Sequence, residues 1–449
     1  MTAVGNLVVN PSASDNARWT SERGTHAGRG RDANGSVPAA AGFAEAKEDT
    51  ESGAHRAMTH RRAHVVHVIN SIAATGGAEQ QLVTNLRSFT DPELRHSLVC
   101  LYEVDPSRRD EVPSSVPVIH LYPKGAPRPG PWTRARDLIR VLRDLEPDLV
   151  HCSLADAALA ARFAGRRLRV PVVETLVNIA NEKVKSLDNP LAWWKLRAYQ
   201  VVDTTTMRLV TRFHAISGEV ARSWRDTARI ADERIAVIPR AVDPADLVPV
   251  GGREAARNRI LGEMGWEEDT FLVVNIGREA PQKGQRYLIE AMRLVVDRVP
   301  TARALVAGTP GSLSDDLRRR VAASGLGDRM RFLGHRRDVV DLLAAADVFA
   351  FPSLFEGIGV AMLQAMAAEC AVVVTGVPPM SDVVTDRESG LTVPPQDPEA
   401  LAAAIVELAE DAELRARLGA AAKRVVEQGF RPDRVAAELE RLYHEVLGR

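Results

Sequence analysis

The sequence predicts an α/β protein with two Rossmann-like domains that face each other across a cleft, preceded by a disordered N-terminal tail. Two series of short apolar segments, most of them followed by a helical pattern, run through residues 63–243 and 244–430. Such alternation is typical of βαβ units and parallel sheets. The length of 449 residues also exceeds what one hydrophobic core usually organises.

The first 62 residues differ in composition from the rest of the chain. They are rich in Gly, Ala, Ser, Asn, Arg and Glu and have almost no aromatic or β-branched periodicity. Such a segment cannot bury enough apolar surface to offset the entropy of ordering, so we expect residues 1–62 to be disordered. Met58 lies just before the first apolar strand. We expect either that Met58 is the true start of the protein or that the tail is dispensable.

The first domain is predicted from seven apolar segments and the helical patterns between them. The segments are HVVHVIN, HSLVCLY, VPVIHLY, DLVHCS, VPVVETLV, RFHAIS and IAVIPRAVD, with helices expected near Gly77–Phe89, Thr133–Leu145, Ala155–Phe163 and Pro190–Val210. Short apolar runs bounded by turn residues suit strands that are buried on both faces of a sheet.

The second domain is predicted from six further segments. These are FLVVNIG, ARALVAG, MRFLGH, DVFAFPS, CAVVVTG and LTVPP. A connector near Asp243–Gly265 precedes them, and helices rich in Ala, Leu, Glu and Arg follow from Pro398. We expect the last helix, within residues 431–449, to return across the hinge.

Charged landmarks follow two strands of the second domain. Arg278 and Lys283 come after FLVVNIG, and Glu356 comes after DVFAFPS. The carboxyl ends of parallel strands are where open α/β sheets bind ligands. Because Arg can grip two oxygens while Lys adds a point charge, the cations suit a diphosphate, and the carboxylate suits sugar hydroxyls. The sequence therefore predicts a nucleotide-sugar site.

Composition excludes several other classes. The formal net charge is −1, which gives no reason to expect a nucleic-acid partner. The three cysteines, Cys100, Cys152 and Cys370, lie too far apart for a metal-ligand or disulfide pattern. The chain contains no D-x-D sequence, so a metal-dependent transferase is disfavoured and no metal or other cofactor is expected.

The sequence also predicts a cytoplasmic location. It has neither an apolar run of about eighteen residues nor an N-terminal apolar region of signal-peptide length. The basic run Arg166–Arg169 could contact acidic lipid head groups at the inner face of the membrane, although a solvated helix end is the favoured interpretation.

Five segments together resemble the retaining GT-B glycosyltransferases of the "glycosyl transferases group 1" family, which is family 4-like, over nearly the whole chain beyond the tail. The segments are GGAE, IAVIPRAVD, IGREAPQKG, the RFLGH run and FPSLFEGIGVAMLQAMA. The resemblance implies transfer of a sugar from a nucleotide-diphosphate sugar to a glycan, lipid-linked or small-molecule acceptor. It further implies retention without a protein nucleophile and a setting in cell-surface polysaccharide or glycoconjugate synthesis.

The resemblance also implies roles for individual residues. The candidate catalytic residues are Arg278, Lys283, Glu356 and His151; the donor-binding residues are Gly76, Gly77, Gly357, Ile358, Gly359 and Gln364; the acceptor-side residues are Asp156, Glu174 and Asn178. Two of these assignments have structural alternatives. The glycine pair could form a simple tight turn, and His151 could be a hydrogen-bonded core histidine.

The chain departs from the family pattern around the expected donor pocket. Gln364 stands where the family has a second glutamate, Arg240 and Ala241 replace the usual Asn-Gly, and Pro378 and Pro379 replace a glycine pair. Glutamine lacks the charge that strengthens a hydrogen bond to ribose, and proline lacks an amide donor. Two alternatives therefore stay open: a catalytically weakened GT-B partner or scaffold, and a GT-B nucleotide-sugar epimerase.

Overall fold

The computed structural model describes residues 61–72, 77–123, 128–180 and 201–449. The predicted tail and most of the helix expected from Pro190 lie outside the described residues. Of that helix, residues 201–206 are helical and lead into a 3-10 turn at Met207–Leu209.

The first sheet has seven parallel strands among the described residues, in the spatial order β3-β2-β1-β4-β5-β6-β7. The strands are β1 Ala63–Ile69, β2 Leu94–Cys100, β3 Val118–His120, β4 Leu149–Ser153, β5 Val172–Leu176, β6 Arg212–Ala215 and β7 Ile235–Val237. Helices described between them are α1 Gly77–Ser88, α2 Pro106–Glu111, α3 Pro131–Leu145, α4 Ala155–Leu168 and α5 Gly218–Ala228.

The second sheet has six parallel strands in the described part of the chain, in the order β10-β9-β8-β11-β12-β13. The strands are β8 Phe271–Ile276, β9 Ala302–Ala307, β10 Met330–Gly334, β11 Val348–Phe351, β12 Ala371–Thr375 and β13 Leu391–Val393. The helices are α6 Gly252–Met264, α7 Gln285–Arg298, α8 Ser314–Ala323, α9 Val339–Ala345, α10 Val360–Ala367, α11 Met380–Val383, α12 Pro398–Glu410, α13 Ala412–Gly429 and α14 Pro432–Leu447.

Central strands are buried on both faces, as their apolar sequences predict. Every residue of β1, β11 and β12 is buried, whichever face of the sheet its side chain is on. Helices on both faces of a parallel sheet produce this pattern. The two sheets confirm the predicted α/β class with two Rossmann-like halves.

One hydrophobic cluster joins the two halves. Phe213 and Ile216 of the first half belong to the same buried cluster as Ile358 and Met362 of the second. The chain passes between the sheets through a 3-10 turn at Pro244–Leu247 and then through α6, within the segment predicted as a connector. Burial of this shared apolar surface holds the halves together.

The last helix, α14, lies against the first sheet rather than the second. Its buried residues Leu439 and Tyr443 share a cluster with Val65 of β1 and Leu149 of β4. The chain therefore returns to the N-terminal half after completing the C-terminal one.

Candidate active site

The strand order of each sheet reverses once near its centre, and these reversals locate the candidate site. In the first sheet the order reverses between β1 and β4, and in the second between β8 and β11. Loops that follow such neighbouring strands diverge and leave a crevice at the carboxyl edge. Arg278 and Lys283 follow β8, and Glu356 follows β11.

The loop after β8 is shaped by a glycine that no other residue could replace without strain. Pro281–Lys283 form a 3-10 turn that ends at Gly284, which has a φ of 63°. A Cβ atom at Gly284 would lie 1.9 Å from the carbonyl oxygen of Pro352. In addition, the Leu354 amide donates a hydrogen bond to the Gln282 carbonyl, with an N–O distance of 2.7 Å. The loops after β8 and β11 are therefore joined through their backbones.

This joining brings Lys283 and Glu356 into direct contact. The Lys283 Nζ atom lies 2.5 Å from Glu356 Oε1, and the two side chains are only 16% and 9% exposed. Lys283 Nζ also lies 5.4 Å from the centroid of the Phe351 ring. A pair in which both charges are largely withdrawn from water is held in a defined geometry, because leaving either charge unpaired would be costly.

Buried contacts behind the β8 loop hold Arg278 and Lys283 in place. Gln285 Nε2 donates to the Gly277 carbonyl at 3.1 Å, and buried Glu279 accepts from Arg318 at 2.9 Å. Gln285 is 1% exposed. Neither Gln285 nor Glu279 was among the sequence candidates, although both lie beside the predicted cationic pair in the sequence. They act on the loop rather than lining the crevice.

The loop after β11 reaches the first half of the protein at Gly357. A Cβ atom there would lie 2.5 Å from the Val177 carbonyl oxygen, just past β5. Ser217 Oγ donates to the Gly357 carbonyl at 2.6 Å. Gly359, with a φ of 73°, then starts α10. Glycines at these positions let the donor-side loop approach the opposite half closely.

Between the halves lies a cavity of about 740 Å³. This volume is within the range of small-molecule sites. The predicted site residues among those lining it are Gly77, Asn178, Arg278, Lys283, Glu356, Gly357, Ile358, Gly359 and Gln364. The structure thus brings together the cationic pair, the acid and the α10 start; Gly76 lies outside the described residues.

Arg240 is a further cation in this cavity, at a position where the sequence departs from the family pattern. It lines the cavity, and a Cβ atom at Gly77 would lie 3.0 Å from Arg240 Nη1. Desolvation lowers the pKa of Arg240 to about 10, while the charges of Glu79 and Glu356 oppose this shift. The guanidinium stays protonated at neutral pH. Arg240 lies within IAVIPRAVD, one of the segments that carry the family resemblance, and this position is the sequence feature that could have pointed to it.

Among the described residues of the first half, three predicted site residues do not line the cavity. Two of them are carboxylates. Glu174 is buried against Arg162, whose Nε donates to Glu174 Oε2 at 2.7 Å. Asp156 accepts from Tyr102 Oη at 2.7 Å and pairs with Arg134 at 2.9 Å. Both carboxylates are therefore engaged by cations within the first half, which corrects the expectation that they face an acceptor.

His151, the third of these residues, matches the alternative of a hydrogen-bonded core histidine. Its Nδ1 lies 2.7 Å from Tyr443 Oη and its Nε2 lies 2.7 Å from Thr175 Oγ1. Burial, with smaller contributions from His214 and His96, lowers the pKa of His151 well below its usual value. A neutral ring with both nitrogens occupied stabilises the contact between β4 and α14.

Asn178 does line the cavity, and its backbone is fixed. The Trp224 indole nitrogen donates to the Asn178 carbonyl at 2.7 Å. Asn178 follows the end of β5 and lies across the cavity from the cationic loop, so its side chain is placed where a ligand could reach it. Its role toward an acceptor stays a prediction.

No helix in the described ranges is both long enough and apolar enough to cross a bilayer.

Two Rossmann-like halves around a cationic crevice define the GT-B class of glycosyltransferase. Residues 257–425 match the family described as Glycosyl transferases group 1, and residues 75–246 match Glycosyltransferase Family 4. Family models therefore match in both halves of the protein, which confirms the resemblance to this family of glycosyltransferases predicted from the sequence.

Among curated proteins, the chain is similar to glycosyltransferases with different acceptors. It is 26% identical, over 61% of the chain and 69% of the relative, to UDP-Gal:alpha-D-GlcNAc-diphosphoundecaprenol alpha-1,3-galactosyltransferase of Escherichia coli. It is 28% identical, over 61% of the chain, to D-inositol 3-phosphate glycosyltransferase of Streptomyces scabiei, and spans 63% of that protein. It is 29% identical to phosphatidyl-myo-inositol mannosyltransferase of Mycolicibacterium smegmatis, over 71% of the chain and 76% of that protein.

Solved structures confirm the GT-B fold. Anabaena Alr3699/HepE, in complex with UDP and glucose, matches with a TM-score of 0.71 over 85% of the chain and 99% of that protein, at 21% identity. WaaG, a glycosyltransferase involved in lipopolysaccharide biosynthesis, matches with a TM-score of 0.64 over 83% of the chain and 98% of that protein, at 16% identity.

Proposed function

We propose that this glycosyltransferase moves a sugar from a nucleotide-diphosphate donor to a hydroxyl group of a glycan, lipid-linked or small-molecule acceptor, with retention of anomeric configuration. The observation that carries the proposal is the Lys283–Glu356 pair, 2.5 Å apart, in a cavity that Arg278 and Arg240 also line. The cations suit a diphosphate and the carboxylate suits sugar hydroxyls.

The donor would lie along the second half. The diphosphate would contact Arg278 and Lys283, and the sugar would contact Glu356 and the Gly357–Gly359 backbone at the start of α10. Helix N-termini favour anionic and oxygen-rich ligands because their first amides have no intrahelical partner. Gln364 lines the same cavity and can donate to and accept from ribose hydroxyls.

The reaction needs little covalent chemistry from the protein. The bond from the anomeric carbon to the diphosphate breaks as the acceptor oxygen bonds to the same face, and the hydroxyl proton passes to a departing phosphate oxygen. Fixed cations stabilise the charge that develops on the diphosphate. The cleft positions the two substrates, and we assign neither a metal nor a protein nucleophile to this step.

Similar proteins support a nucleotide-sugar donor. The galactosyltransferase relative is named for UDP-Gal, and the HepE structures hold UDP or UDP-glucose. The named acceptors vary among diphosphoundecaprenol, inositol phosphate and phosphatidylinositol derivatives. We therefore propose a nucleotide-diphosphate sugar as donor. The proposed acceptor is a hydroxyl-bearing glycoconjugate, lipid or small molecule, and the proposed setting is surface polysaccharide synthesis.

One departure from the family pattern favours a second candidate, a weakened GT-B partner or scaffold. Gln364 lies in the cavity where the family carries glutamate. In contrast, Pro378 and Pro379 are not among the described residues that line it. Of the three residues that suggest a loss of activity, only Gln364 therefore lies in the cavity.

A panel of UDP-, GDP- and ADP-sugars tests the proposal. We expect one donor class to raise the melting temperature, because bound ligand stabilises the folded state, and to release its nucleotide only when an acceptor is added, with no effect of EDTA. Product NMR should show the donor's anomeric configuration. Stabilisation without turnover would favour the scaffold, and an interconverted sugar nucleotide formed without acceptor would favour the epimerase.

A further inference from the structure

An aromatic side chain near the start of α3 lies outside the hydrophobic core. Trp132 is 72% exposed, and its ring centroid lies 5.0 Å from that of Phe163 on α4. The inward stripe of α3 is already supplied by Leu138 and Leu142, which are fully buried. Trp132 is therefore not needed to anchor the helix. Trp132 and Phe163 together therefore place apolar surface on the outside of the first half.

Arginines surround this aromatic pair. A shallow depression of about 770 Å³ separates α3 from the end of α4. Among the described residues that line it are four arginines and no carboxylate. We define the α3–α4 surface by Trp132, Phe163, Arg136, Arg166, Arg167 and Arg169.

Most of the positive charge on this surface has no partner among the residues that the structure describes. Arg136 lies 3.2 Å from Asp137, which Arg140 also approaches to within 3.4 Å. The remaining arginines, Arg166, Arg167 and Arg169, are exposed, and none of them has an ion-pair partner within the described part of the chain. The surface as a whole is therefore cationic, and its charge is available to an anionic partner.

The combination of an exposed indole and clustered arginines is typical of a surface that binds a membrane. Tryptophan favours the boundary between hydrocarbon and headgroups, because its ring is apolar and its N–H can hydrogen-bond. Arginine pairs with lipid phosphates and is drawn to anionic bilayers. We propose that the α3–α4 surface binds an anionic phospholipid bilayer, with Trp132 at headgroup level and the arginines on the phosphates.

Vesicle flotation with the full-length protein and no substrates tests this proposal. We expect binding to vesicles of phosphatidylcholine and phosphatidylglycerol in a roughly 3:1 ratio, and little binding to pure phosphatidylcholine. Replacing Arg166, Arg167 and Arg169 together by glutamine should weaken binding about 100-fold, since each basic residue near an anionic surface contributes about fivefold. Trp132→Ala should weaken it about tenfold through lost apolar contact.

A matched control separates this surface from general charge effects. Arg298, Arg319 and Arg434 have side chains that are 66%, 74% and 60% exposed and lie outside the α3–α4 surface, and their triple glutamine variant carries the same change in charge. We expect it to bind vesicles like the unmodified protein. Absence of binding by the unmodified protein, or equal loss in both triple variants, would overturn the proposal, as would equal binding to neutral vesicles. Because flotation needs no sugar transfer, this result is independent of the proposed reaction.

Discussion

At the scale of single residues, we assign three of the cations and one of the carboxylates that line the cavity to the donor. Lys283 is held by Glu356, while Arg278 and Arg240 line the same cavity. Lys283 has three donors, so its contact with Glu356 leaves donors for a phosphate. A bound diphosphate would add negative charge to a site in which cations outnumber the nearby carboxylate.

Removing either cation of the β8 loop should stop transfer without unfolding the protein. For Arg278→Ala and Lys283→Ala we expect kcat to fall by about 100-fold or more, since each removes a charge-assisted contact to the leaving group. Nucleotide release in the presence of acceptor is the measurement, and thermal melting confirms folding. Near-normal turnover in both variants would refute their assignment to the diphosphate.

Arg240 gives a prediction that the family pattern does not. Arg240→Gln keeps a polar side chain but removes the cation beside Gly77, so we expect nucleoside diphosphate to bind about tenfold more weakly. Titration calorimetry with the preferred nucleotide measures the change. Arg319→Gln, an exposed arginine outside the cavity, is the matched control and should leave affinity unchanged. Unaltered affinity in Arg240→Gln would place this guanidinium outside the diphosphate site.

Gln364 permits a test in the opposite direction. Gln364→Glu restores the carboxylate typical of the family, and ribose hydroxyls donate more strongly to a charged acceptor. We expect the donor KM to fall several-fold, with kcat changing less. A higher KM would mean that this chain holds ribose in another way.

At the scale of elements, a row of histidines joins the first sheet to α14. The Ile238 carbonyl can only accept, so His214 Nε2 carries a proton, and Thr175 donates to His214 Nδ1. Thr175 then accepts from His151 Nε2, and Tyr443 donates to His151 Nδ1. Every member is satisfied only while both rings are neutral.

This row predicts loss of stability in acid. Burial lowers the pKa of His214, in this row, to about 4, against about 6.5 in an unfolded chain. It also lowers to about 4 the pKa of His96, which lies outside the row and contacts His67 of β1. The unfolded state binds more protons between these values, so stability is lost as the pH falls from about 6.5 toward 4. Each of these histidines should cost about 2 kcal/mol at pH 5 relative to pH 8.

Urea unfolding at pH 5 and pH 8 measures this loss. In His214→Gln the difference between the two pH values should shrink by about 2 kcal/mol, because one titrating group is gone. Carboxylates contribute equally to both proteins and cancel in the comparison. An unchanged pH difference would show that His214 is not held neutral by the fold.

The strands and long helices could be predicted because their periodicity is local. The six residues of α2 are too few for a periodicity that predicts a helix, although Asp105 caps it by accepting from the Ser107 amide. Helix α4 was expected to stop at Phe163 but continues to Leu168. Gly165 permits this, because a Cβ atom there would lie 2.3 Å from Val172.

The candidate site was predictable where loop chemistry determines it and not where distant packing does. Lys283 and Glu356 were located from the strands that precede them. By contrast, the contact of His151 depends on Tyr443, which lies 292 residues away in sequence. Likewise Arg240 reaches the cavity only because its loop passes beside Gly77. No local pattern contains these contacts.

At the scale of the whole molecule, two halves meet at glycine-rich loops around one cavity. Gly357 contacts the end of β5, and α14 returns to the first sheet after the second is complete. The first half also carries the α3–α4 surface. The arrangement places the cationic loop, the start of α10 and Asn178 around a shared space in which donor and acceptor can meet.

A crystal structure with the nucleoside diphosphate that most stabilises the protein, chosen among UDP, GDP and ADP, would show whether the cleft binds the donor. We expect the diphosphate to lie between the halves, with its oxygens within hydrogen-bond distance of Arg278 and Lys283. A diphosphate that contacts neither side chain, or that lies outside the cavity, would contradict it.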